Sequence, residues 1–288
     1  MSKLIVLVGI PGSGKSTYAK KLMEQDPTLV YLSSDQIRKE LYGSEAIVGD
    51  KNKVFRVLHA RTKQYLSDGQ SVIFDATNLT RKSRRNVFAD ARQGIRKEVH
   101  IVWAPIHICL ARDRKRDRTV GKHDIMRLAT GFQAPWWDEG MDAIEIAITH
   151  PQHNHTRYIN RCKRSMQIPH DNPHHRLDIM DHCEAAFYHA AHANYPDSVL
   201  YAALFHDIGK PITKTFKKDP ETGNQIAHYY QHDNIGGWIA YGISSDPELA
   251  WLIGNHMQPY FNTKYYQNMD PCYKELIDQL HDCDVHAH

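Results

Sequence analysis

The chain has 288 residues, enough for two ordinary domains, since a globular domain takes roughly 100–200 residues. A hydrophobic fraction of 41% and a charged fraction of 24% are typical of globular proteins, and no apolar run approaches the ~20 residues of a membrane span. The five cysteines include no Cys-x-x-Cys pair, and the apolar opening is too short for a signal peptide. These features exclude a membrane-embedded or disulfide-framed protein and lead us to expect a cytoplasmic one.

Charge and histidine are distributed unevenly along the chain. Residues 1 to 150 carry 25 basic and 17 acidic side chains, whereas the remainder carries 11 basic and 16 acidic ones. Sixteen of the 20 histidines lie from His150 onward. A basic half suits a polyanionic partner and a half rich in His and Asp suits metal ions, although a solvated surface explains the charge alone equally well.

Three continuous apolar runs in the first half predict parallel strands buried on both faces: LIVLVGI at 4–10, SVIFDATNL at 71–79 and EVHIVWAP at 98–105. Amphipathic stretches between them, such as KVFRVLHARTKQYL at 53–66, predict helices. The order strand, loop, helix, strand is typical of an α/β domain with a parallel sheet.

The pattern changes after residue 148. The segment at 149–173 is polar and basic with three prolines, which favours a linker. Strand signals then largely vanish, and five segments follow a helical pattern: LDIMDHCEAAFYHAAHA, SVLYAALFHDI, IGGWIAYGIS, PELAWLIGNH and YKELIDQLHDCD. We therefore predict an α/β domain at 1–148, a linker at 149–172 and an all-α domain at 173–288.

A phosphate-binding motif follows the first predicted strand. GIPGSGKST at 9–17 matches G-x-x-x-x-G-K-[ST] between a strand and a helix. Backbone N–H groups of such a loop wrap phosphates, its lysine neutralises the β/γ oxygens, and its hydroxyl can ligate Mg²⁺. The motif predicts a site for ATP or another NTP with Mg²⁺, built from Gly12, Ser13, Gly14, Lys15, Ser16 and Thr17.

Carboxylates and a guanidinium follow the phosphate-binding motif. SSDQIR places Asp35 three residues before Arg38, where a short loop opens a helix. Asp35 can take the proton from an attacking hydroxyl, and Arg38 can clamp a phosphate on the acceptor because its planar fork matches phosphate oxygens. A helix N-cap explains Asp35 as well, and the two roles can coexist. Asp75 closes the second apolar run, a usual place for a carboxylate near Mg²⁺ or the phosphates.

A third basic motif lies at residues 112–118, RDRKRDR. Arg112 and Arg116 are four residues apart and would share one face of a helix. Guanidiniums there can close over the triphosphate as a lid and stabilise charge on the transferring group. A solvated charge run is the alternative reading.

The motifs GIPGSGKST, SSDQIR, IFDATNL and RDRKR, in this order, resemble the P-loop kinase domain of bacteriophage-type polynucleotide 5′-hydroxyl kinases over about residues 1–130. The resemblance implies that Lys15 and Ser16 contact the donor phosphates and that Asp35 is the general base toward a 5′-OH. It places Arg38 on the 3′-phosphate of the acceptor.

The same resemblance makes Asp75 an accessory polar residue, and it makes Arg112 and Arg116 the lid. That family usually continues into a phosphatase domain with a D-x-D-x-T nucleophile motif. This sequence contains no such motif.

Histidines and aspartates recur in the helical segments of the second half. The candidate ligands are His182, His206 with Asp207, His228 and His232, His256, and Asp282 or Asp284. Imidazoles and carboxylates that converge from separate helices suit a hydrolytic divalent metal centre. One histidine on an apolar helix is more often a core residue, but five elements in the order H, HD, H, H, D favour ligands. An adjacent His-Asp pair should lie near a helix end, just before Gly209.

This order, with HDIGK at 206–210, resembles the HD superfamily of metal-dependent phosphohydrolases over about residues 172–288. NPHHRLDIMDH and HYYQHDNIGG resemble the HD domains attached to tRNA nucleotidyltransferases. The resemblance implies one or two divalent transition metal ions (Mn²⁺, Ni²⁺, Co²⁺, Zn²⁺ or Fe²⁺). It assigns the core metal to His182, His206, Asp207 and Asp284, and a second site to His232 and His256.

Several residues of this half keep open roles. Asp284 is preferred to Asp282 because CDVHAH aligns with the usual ending of the superfamily. His228 is a candidate for a supporting or phosphate-binding role, and Lys210 is either a contact to the substrate phosphate or a surface lysine. We expect the remaining nearby histidines to be structural: His174, His175, His189 and His192.

Together the two resemblances imply a bifunctional enzyme that heals nucleic-acid ends in a bacterial cell or a phage-infected host. It would phosphorylate 5′-OH ends of RNA or DNA with an NTP and remove 2′,3′-cyclic, 2′- or 3′-phosphates, leaving ends for a ligase. The alternative is a small-molecule or nucleoside kinase fused to an HD nucleotidase, against which the basic first half and Arg38 argue. A non-catalytic NTP-gated nucleic-acid sensor is the third reading.

Overall fold

The computed structural model describes residues 2–45, 47, 49–116, 119–173 and 176–287. His174 and His175 lie outside these residues, so their expected structural role stays a prediction. Within the described parts of the chain, no helix combines the length and apolar character that a membrane crossing needs. The chain divides into a first unit, Met1–Leu128 with Pro135–Gln152, and a second unit, Ala129–Ala134 with His153–His288.

A five-stranded parallel sheet forms the centre of the first unit. Its strands are β1 (Lys3–Val8), β2 (Val30–Ser33), β3 (Val72–Asp75), β4 (Arg96–Trp103) and β5 (Ala143–Ile148), in the order β2-β3-β1-β4-β5. The helices are α1 (Lys15–Gln25), α2 (Ser34–Tyr42), α3 (Lys51–Ser67), α4 (Arg81–Phe88), α5 (Ile106–Asp113) and α6 (Lys122–Thr130), with a 3₁₀ turn at Trp137–Glu139. The predicted α/β domain with a parallel sheet is confirmed.

The register of this sheet gathers the motifs at one edge. Leu7 and Ser33 are both paired with Asp75, so β1, β2 and β3 end at the same level. Because all strands are parallel, the loops that leave these ends open on one edge of the sheet. Under that edge, Ile5, Leu7 and Ile73 pack with α1 through the buried Ala19.

A buried ion pair holds the loop after β3. Arg84 on α4 donates two hydrogen bonds to Glu139, Nε to Oε2 at 2.7 Å and Nη2 to Oε1 at 2.6 Å, and both side chains are fully buried. A third bond runs from Nη1 to the carbonyl of Asn78 at 3.1 Å. The Nδ2 of Asn78 in turn donates to the Leu7 carbonyl at 2.8 Å, so the pair ties this loop to the end of β1.

The second unit is built mainly of helices. They are α7 (His155–Met166), α8 (Ile179–His192), α9 (Asp197–Phe205), α10 (Lys210–Thr213), α11 (His232–Ile243), α12 (Pro247–Ile253), α13 (Gln258–Phe261), α14 (Lys264–Gln267) and α15 (Pro271–Val285). Each of the five segments with a helical pattern overlaps one of these helices: α8, α9, α11, α12 or α15. An antiparallel hairpin, β6 (Thr215–Lys218) with β7 (Gln225–His228), is an addition that the sequence did not lead us to expect.

The segment predicted as a linker at 149–172 is not extended chain throughout. Its middle forms α7, capped by the side chain of Asn154, which accepts a hydrogen bond from the N–H of Arg157. Cys162 and Met166 are buried on the inner face of this helix. The prolines lie before and after the helix, so they do not interrupt it. Counting them without regard to their positions suggested a linker. The domain boundaries stay a prediction.

Candidate functional sites

The phosphate-binding loop between β1 and α1 has a left-handed backbone at two glycines, Gly12 (φ 82°) and Gly14 (φ 101°). A Cβ at Gly12 would overlap the carbonyl of Cys109, so a larger residue there would have to displace the loop. Lys15 Nζ curls back to the loop, 2.8 Å from the Gly9 carbonyl oxygen and 3.2 Å from that of Ile10. Burial lowers the pKa of Lys15, and the nearby carboxylates oppose that shift.

Asp75 lies beside this loop at the end of β3, and its carboxylate collects two hydroxyl donors. Ser16 Oγ donates to its Oδ2 at 3.2 Å, and Tyr31 OH donates to the same atom at 2.6 Å. A serine hydroxyl and a carboxylate are the hard oxygen ligands that Mg²⁺ prefers, so the residues present fit a magnesium ion. Tyr31 was not foreseen, because a tyrosine in a four-residue strand resembles any core residue.

Asp35 and Arg38 face each other on the first turn of α2. Ser33 is the N-cap of this helix, since its hydroxyl accepts hydrogen bonds from Asp35 N (3.1 Å) and Gln36 N (3.4 Å). The N-cap reading of Asp35 is therefore wrong, and its carboxylate instead accepts a hydrogen bond from Nη1 of Arg38. The Arg38 side chain is 11% exposed and that of Asp35 is 44% exposed, so the pair opens to solvent through the carboxylate.

Arg112 and Arg116 do not share one helical face. The helix α5 ends at Asp113, whose carboxylate accepts hydrogen bonds from the N–H groups of Val120 and Gly121 and so turns the chain back. Arg116 therefore lies beyond the helix end, near enough to Lys15 to contribute to the lowering of its pKa, after burial.

Arg112 holds the phosphate-binding loop. Its Nη1 donates to the carbonyls of Gly12 and Ser13, both at 3.2 Å, and to Oγ1 of Thr149 at 3.0 Å, while Nη2 donates to the Thr149 carbonyl at 2.8 Å. In this conformation Arg112 acts as a brace between the loop and the end of β5. The lid role implied by the resemblance stays a prediction.

In the second unit, the six candidate metal ligands come from five places in the chain. His182 is on α8, His206 and Asp207 directly follow α9, and His232 begins α11. His256 lies three residues beyond α12, and Asp284 is on α15. The expectation that the His-Asp pair follows a helix end is confirmed.

The side chains of His182, His206 and Asp284 lie together near one carboxylate oxygen of Asp207, Oδ2. The Nε2 atoms of His182 and His206 are 3.2 Å apart, and Asp284 Oδ1 lies 2.9 Å from the first and 3.4 Å from the second. Oδ2 of Asp207 lies 3.8 Å from the Nε2 of His182 and 3.5 Å from that of His206. We call these four residues the core group.

The second pair of histidines lies against the other oxygen of Asp207. The Nε2 atoms of His232 and His256 are 3.1 Å apart, and they lie 3.3 Å and 4.0 Å from Asp207 Oδ1. Asp207 is buried. The distances place it between two sets of ligands, one at each carboxylate oxygen. A carboxylate in this position can bridge two cations.

All four imidazoles have the same tautomer. The Nδ1 atoms donate to backbone carbonyls of Ala287, Ala203, Tyr229 and Ile253, at 2.7–3.0 Å. A carbonyl oxygen only accepts, so each neutral ring carries its proton on Nδ1 and directs the Nε2 lone pair into the cluster. Lone pairs 3.1–3.2 Å apart repel one another unless a cation or proton lies between them. Burial lowers the pKa of His256 to about 3, which keeps that ring in the metal-binding form.

A cation and a further imidazole border the cluster. Lys210 is buried, with its Nζ 2.6 Å from Asp207 Oδ2 and 3.2 Å from His170 Nε2. The surface-lysine reading of Lys210 is therefore wrong. His170 is also buried, 3.7 Å from Asp207 Oδ2, and was missed because it lies in the segment predicted as a linker.

Asp282 and His228 lie apart from the cluster. Asp282 accepts hydrogen bonds from His189 Nε2 (2.8 Å) and Tyr195 OH (2.9 Å), whereas the core group contains Asp284. His189 thus has a structural partner. The ring of His228 stacks on that of Tyr230, and His192 donates from Nδ1 to the Tyr188 carbonyl within its own helix.

Gly209 brings the two ligand-bearing segments together. A Cβ on this residue would overlap the carbonyl oxygen of His232, at the start of α11. Only glycine lets the loop after Asp207 approach this closely. The packing of Gly209 therefore sets the distance between Asp207 and the second pair of histidines.

A cleft of about 1070 Å³ opens over the cluster within the second unit. His182, Asp207, Lys210, His232 and Asp284 lie along it. Its other lining residues include Arg176, Asp233 and four aromatic residues: Tyr229, Tyr230, Tyr260 and Phe261. The cluster can therefore be reached by a ligand much larger than phosphate.

Two comparisons by sequence each match part of the chain. A family model described as an AAA domain matches residues 4–135. The CC-adding tRNA nucleotidyltransferase of Thermus thermophilus is 31% identical over 94 residues, which are 29% of this chain and 20% of that protein. The chain thus spans about a fifth of the length of this relative.

Solved structures are similar at lower identity. A structure of the Pnkp1/Rnl/Hen1 RNA repair complex is 23% identical with a TM-score of 0.42, over 45% of this chain and 43% of that one. Kti12 of Chaetomium thermophilum, in complex with ADP-AlF3, is 18% identical with a TM-score of 0.44, over 54% and 92%. The first unit has a P-loop kinase fold, as its sheet order and phosphate-binding loop show on their own.

Proposed function

We propose that the chain is a bifunctional enzyme that repairs nucleic-acid ends. The first unit transfers the γ-phosphate of an NTP to a 5′-OH end, and the second removes a 2′,3′-cyclic, 2′- or 3′-phosphate. The observation that carries the proposal is the cluster of four Nε2 atoms around Asp207 in the same chain as a P-loop and the Asp35–Arg38 pair. The products are the 5′-phosphate and 3′-OH that a ligase needs.

In the kinase reaction the 5′-oxygen attacks the γ-phosphorus, the bond to the β-phosphate oxygen breaks, and the nucleoside diphosphate leaves. Asp35 accepts the proton of the 5′-OH, and the 44% exposure of its carboxylate leaves it open to an entering hydroxyl. Lys15 neutralises the donor phosphates once it leaves the loop carbonyls. Ser16 and Asp75 would hold Mg²⁺, which draws charge from the β- and γ-oxygens.

In the phosphatase reaction, the core group would hold one divalent ion and the second pair of histidines, with Asp207, would hold another. Such ions activate water and polarise phosphoryl oxygens when bound. The residues of the chain orient the ligands through their Nδ1–H bonds, and Lys210 places a positive charge beside the site of the phosphoryl group. Water adds to phosphorus, and the terminal sugar oxygen leaves with a proton.

The motifs NPHHRLDIMDH and HYYQHDNIGG of the second half resemble the HD domains attached to tRNA nucleotidyltransferases, and the similarity of the chain to one such enzyme supports the proposal. The net positive charge of the first half supports a polyanionic acceptor.

Crossed single substitutions test the proposal. Oligonucleotides of RNA and DNA with a 5′-OH and a defined 3′ terminus are incubated with ATP and with Mg²⁺, Mn²⁺, Ni²⁺, Co²⁺ or Zn²⁺ in turn. We expect Asp35→Ala to lose 5′-phosphorylation and keep 3′-dephosphorylation, and His206→Ala to do the reverse. Asp68→Ala and His192→Ala, on exposed side chains, are the matched controls.

Three results would contradict the proposal. Retention of kinase activity by Asp35→Ala would refute the assigned base, and hydrolysis by His206→Ala would refute the metal centre. Phosphorylation of free nucleosides in preference to oligonucleotides would favour the small-molecule kinase instead.

A further inference from the structure

The cleft over the metal-ligand cluster is larger than a phosphate requires. Pockets that enclose a whole organic ligand have volumes of roughly 300–1,000 Å³, and this cleft reaches the upper end of that range. The buried polar cluster occupies only its floor. The rest of the lining must contact the part of the substrate that carries the phosphate.

The rim of this cleft exposes aromatic rings. Tyr230 is 57% exposed and Phe261 is 70% exposed, and both line the opening. Exposed rings of this size leave apolar surface in water that a flat apolar ligand can cover. The two residues come from different segments, the end of the hairpin and the end of α13, so they offer ring surfaces at separate places along the cleft.

The Tyr230 ring is held in place although it is exposed. It stacks on His228 with the ring centroids 5.6 Å apart and the planes 2° from parallel. Lys217 on β6 lies 4.6 Å from the ring centroid and 3.0 Å from the hydroxyl oxygen. A ring fixed in this way loses little conformational entropy when a second flat ring stacks on it.

Cations lie among the aromatic rings of this surface. Arg176 and Lys210 line the cleft and Lys217 lies beside Tyr230, opposed by Asp233 on the same lining and by the two aspartates of the cluster. Aromatic rings alternating with cations are the surface that binds single-stranded nucleic acid, in which bases stack and phosphates are neutralised.

We propose that Tyr230 and Phe261 form a stacking platform for bases of a single strand whose 3′-terminal phosphate lies at the cluster. This proposal rests on the proposed function of the second unit and names how that site recognises its substrate. Each base stacked on an aromatic side chain contributes about tenfold in affinity. A strand therefore binds more tightly than a small phosphate ester, which has no bases to stack.

The test compares two 3′-phosphorylated oligonucleotides of equal length, one with all bases and one with abasic residues at the last two positions. We expect Tyr230→Ala and Phe261→Ala each to raise KM about tenfold for the first substrate and to leave KM for the second unchanged. Tyr230→Phe should retain the platform. Tyr201→Ala, on an equally exposed ring of α9, is the matched control.

Equal losses on both oligonucleotides, or none on the complete one, would overturn the proposal. A nucleoside 3′-monophosphate affected as strongly as the oligonucleotide would refute recognition of a strand. Absence of hydrolysis by the unmodified protein with every metal would instead refute the proposed function.

The platform is then tested by binding alone. A labelled oligonucleotide with a 3′-OH is titrated with the double variant Tyr230→Ala/Phe261→Ala or with Tyr201→Ala, and its fluorescence anisotropy is measured. Both proteins have an unchanged kinase unit, so a difference in Kd comes from the second unit. We expect at least about tenfold weaker binding by the double variant. An unchanged Kd overturns the platform.

Discussion

The hydroxyl of Tyr260 donates a hydrogen bond of 2.9 Å to Oδ2 of Asp284. The other oxygen of this carboxylate, Oδ1, lies 2.9 Å from Nε2 of His182 in the core group. Burial raises the pKa of Tyr260, and the adjacent negative charge raises it further, so the hydroxyl keeps its proton and remains a donor. Tyr260 thereby determines which oxygen of Asp284 faces the cluster.

We expect Tyr260→Phe to weaken binding of Mn²⁺ by about 10- to 100-fold, because loss of a partner that orients a metal ligand has that effect. Isothermal titration calorimetry on the metal-free protein measures the change. Tyr266→Phe removes a hydroxyl that bonds to Asp278 outside the cluster and should leave the affinity unaltered. Equal affinities for all three proteins would show that Tyr260 does not orient Asp284.

A second prediction concerns Arg112, which braces the phosphate-binding loop. Arg112→Ala should raise KM for ATP about tenfold and change kcat little, because a loosened loop binds the donor less well before any chemistry occurs. Steady-state kinetics at saturating oligonucleotide measure both constants. Arg114→Ala, an exposed neighbour, is the control. A fall in kcat at constant KM would instead favour the lid.

A third prediction concerns the buried pair Arg84–Glu139. Glu139→Gln leaves the guanidinium buried without a counter-charge and should lower the free energy of unfolding by about 3–5 kcal/mol, as measured by urea denaturation. Replacing both residues together, as Arg84→Met/Glu139→Leu, should cost much less. Arg85→Met breaks the exposed pair with Asp138 and should cost ~0–1 kcal/mol. A similar loss for both single variants would contradict this account.

A fourth prediction concerns pH. Burial lowers the pKa of His100 below 6.5, although Glu98 and Glu145 oppose the shift and Tyr18 OH lies 2.9 Å from its Nδ1. Below pH ~6.5 the unfolded chain therefore binds a proton that the folded chain excludes, so the free energy of unfolding falls as the pH falls. The native protein should lose more stability than His100→Gln between about pH 7 and 5.

The pH prediction has a direct control. His123, whose side chain is 92% exposed, is replaced by Gln in a second variant, which should follow the native protein at every pH. Denaturation curves of the three proteins at each pH give the comparison. Parallel pH dependence of the native protein and His100→Gln would refute the assignment.

The sequence predicted the strands whose two faces are both buried. The apolar runs at 4–10, 71–79 and 98–105 correspond to β1, β3 and β4, the inner strands of the sheet. The edge strands β2 and β5 were not identified, because both are only partly buried and neither produces a long continuous apolar run. The hairpin β6–β7 was not predicted, because β6 is fully exposed and its residues follow no apolar pattern.

The candidate metal ligands were predictable because each is an imidazole or carboxylate in or beside a segment with a helical pattern, in the order H, HD, H, H, D. The structure brings all six candidate ligands together. The sequence could not show that one carboxylate oxygen of Asp207 faces the core group and the other faces His232 and His256. His170 and Tyr260 were missed, because their contacts to Asp207 and Asp284 depend on packing between segments far apart in the chain.

The glycine at position 209 of the HDIGK motif bears on how many metal ions such a motif can support. A side chain there would overlap the start of α11, and we expect it to move His232 away from Asp207. A related chain with a bulky residue after the His-Asp-x triplet is therefore expected to bind a single ion. Under the proposed function, this one residue would distinguish, in the amino-acid sequence alone, related chains that hold one ion from those that hold two.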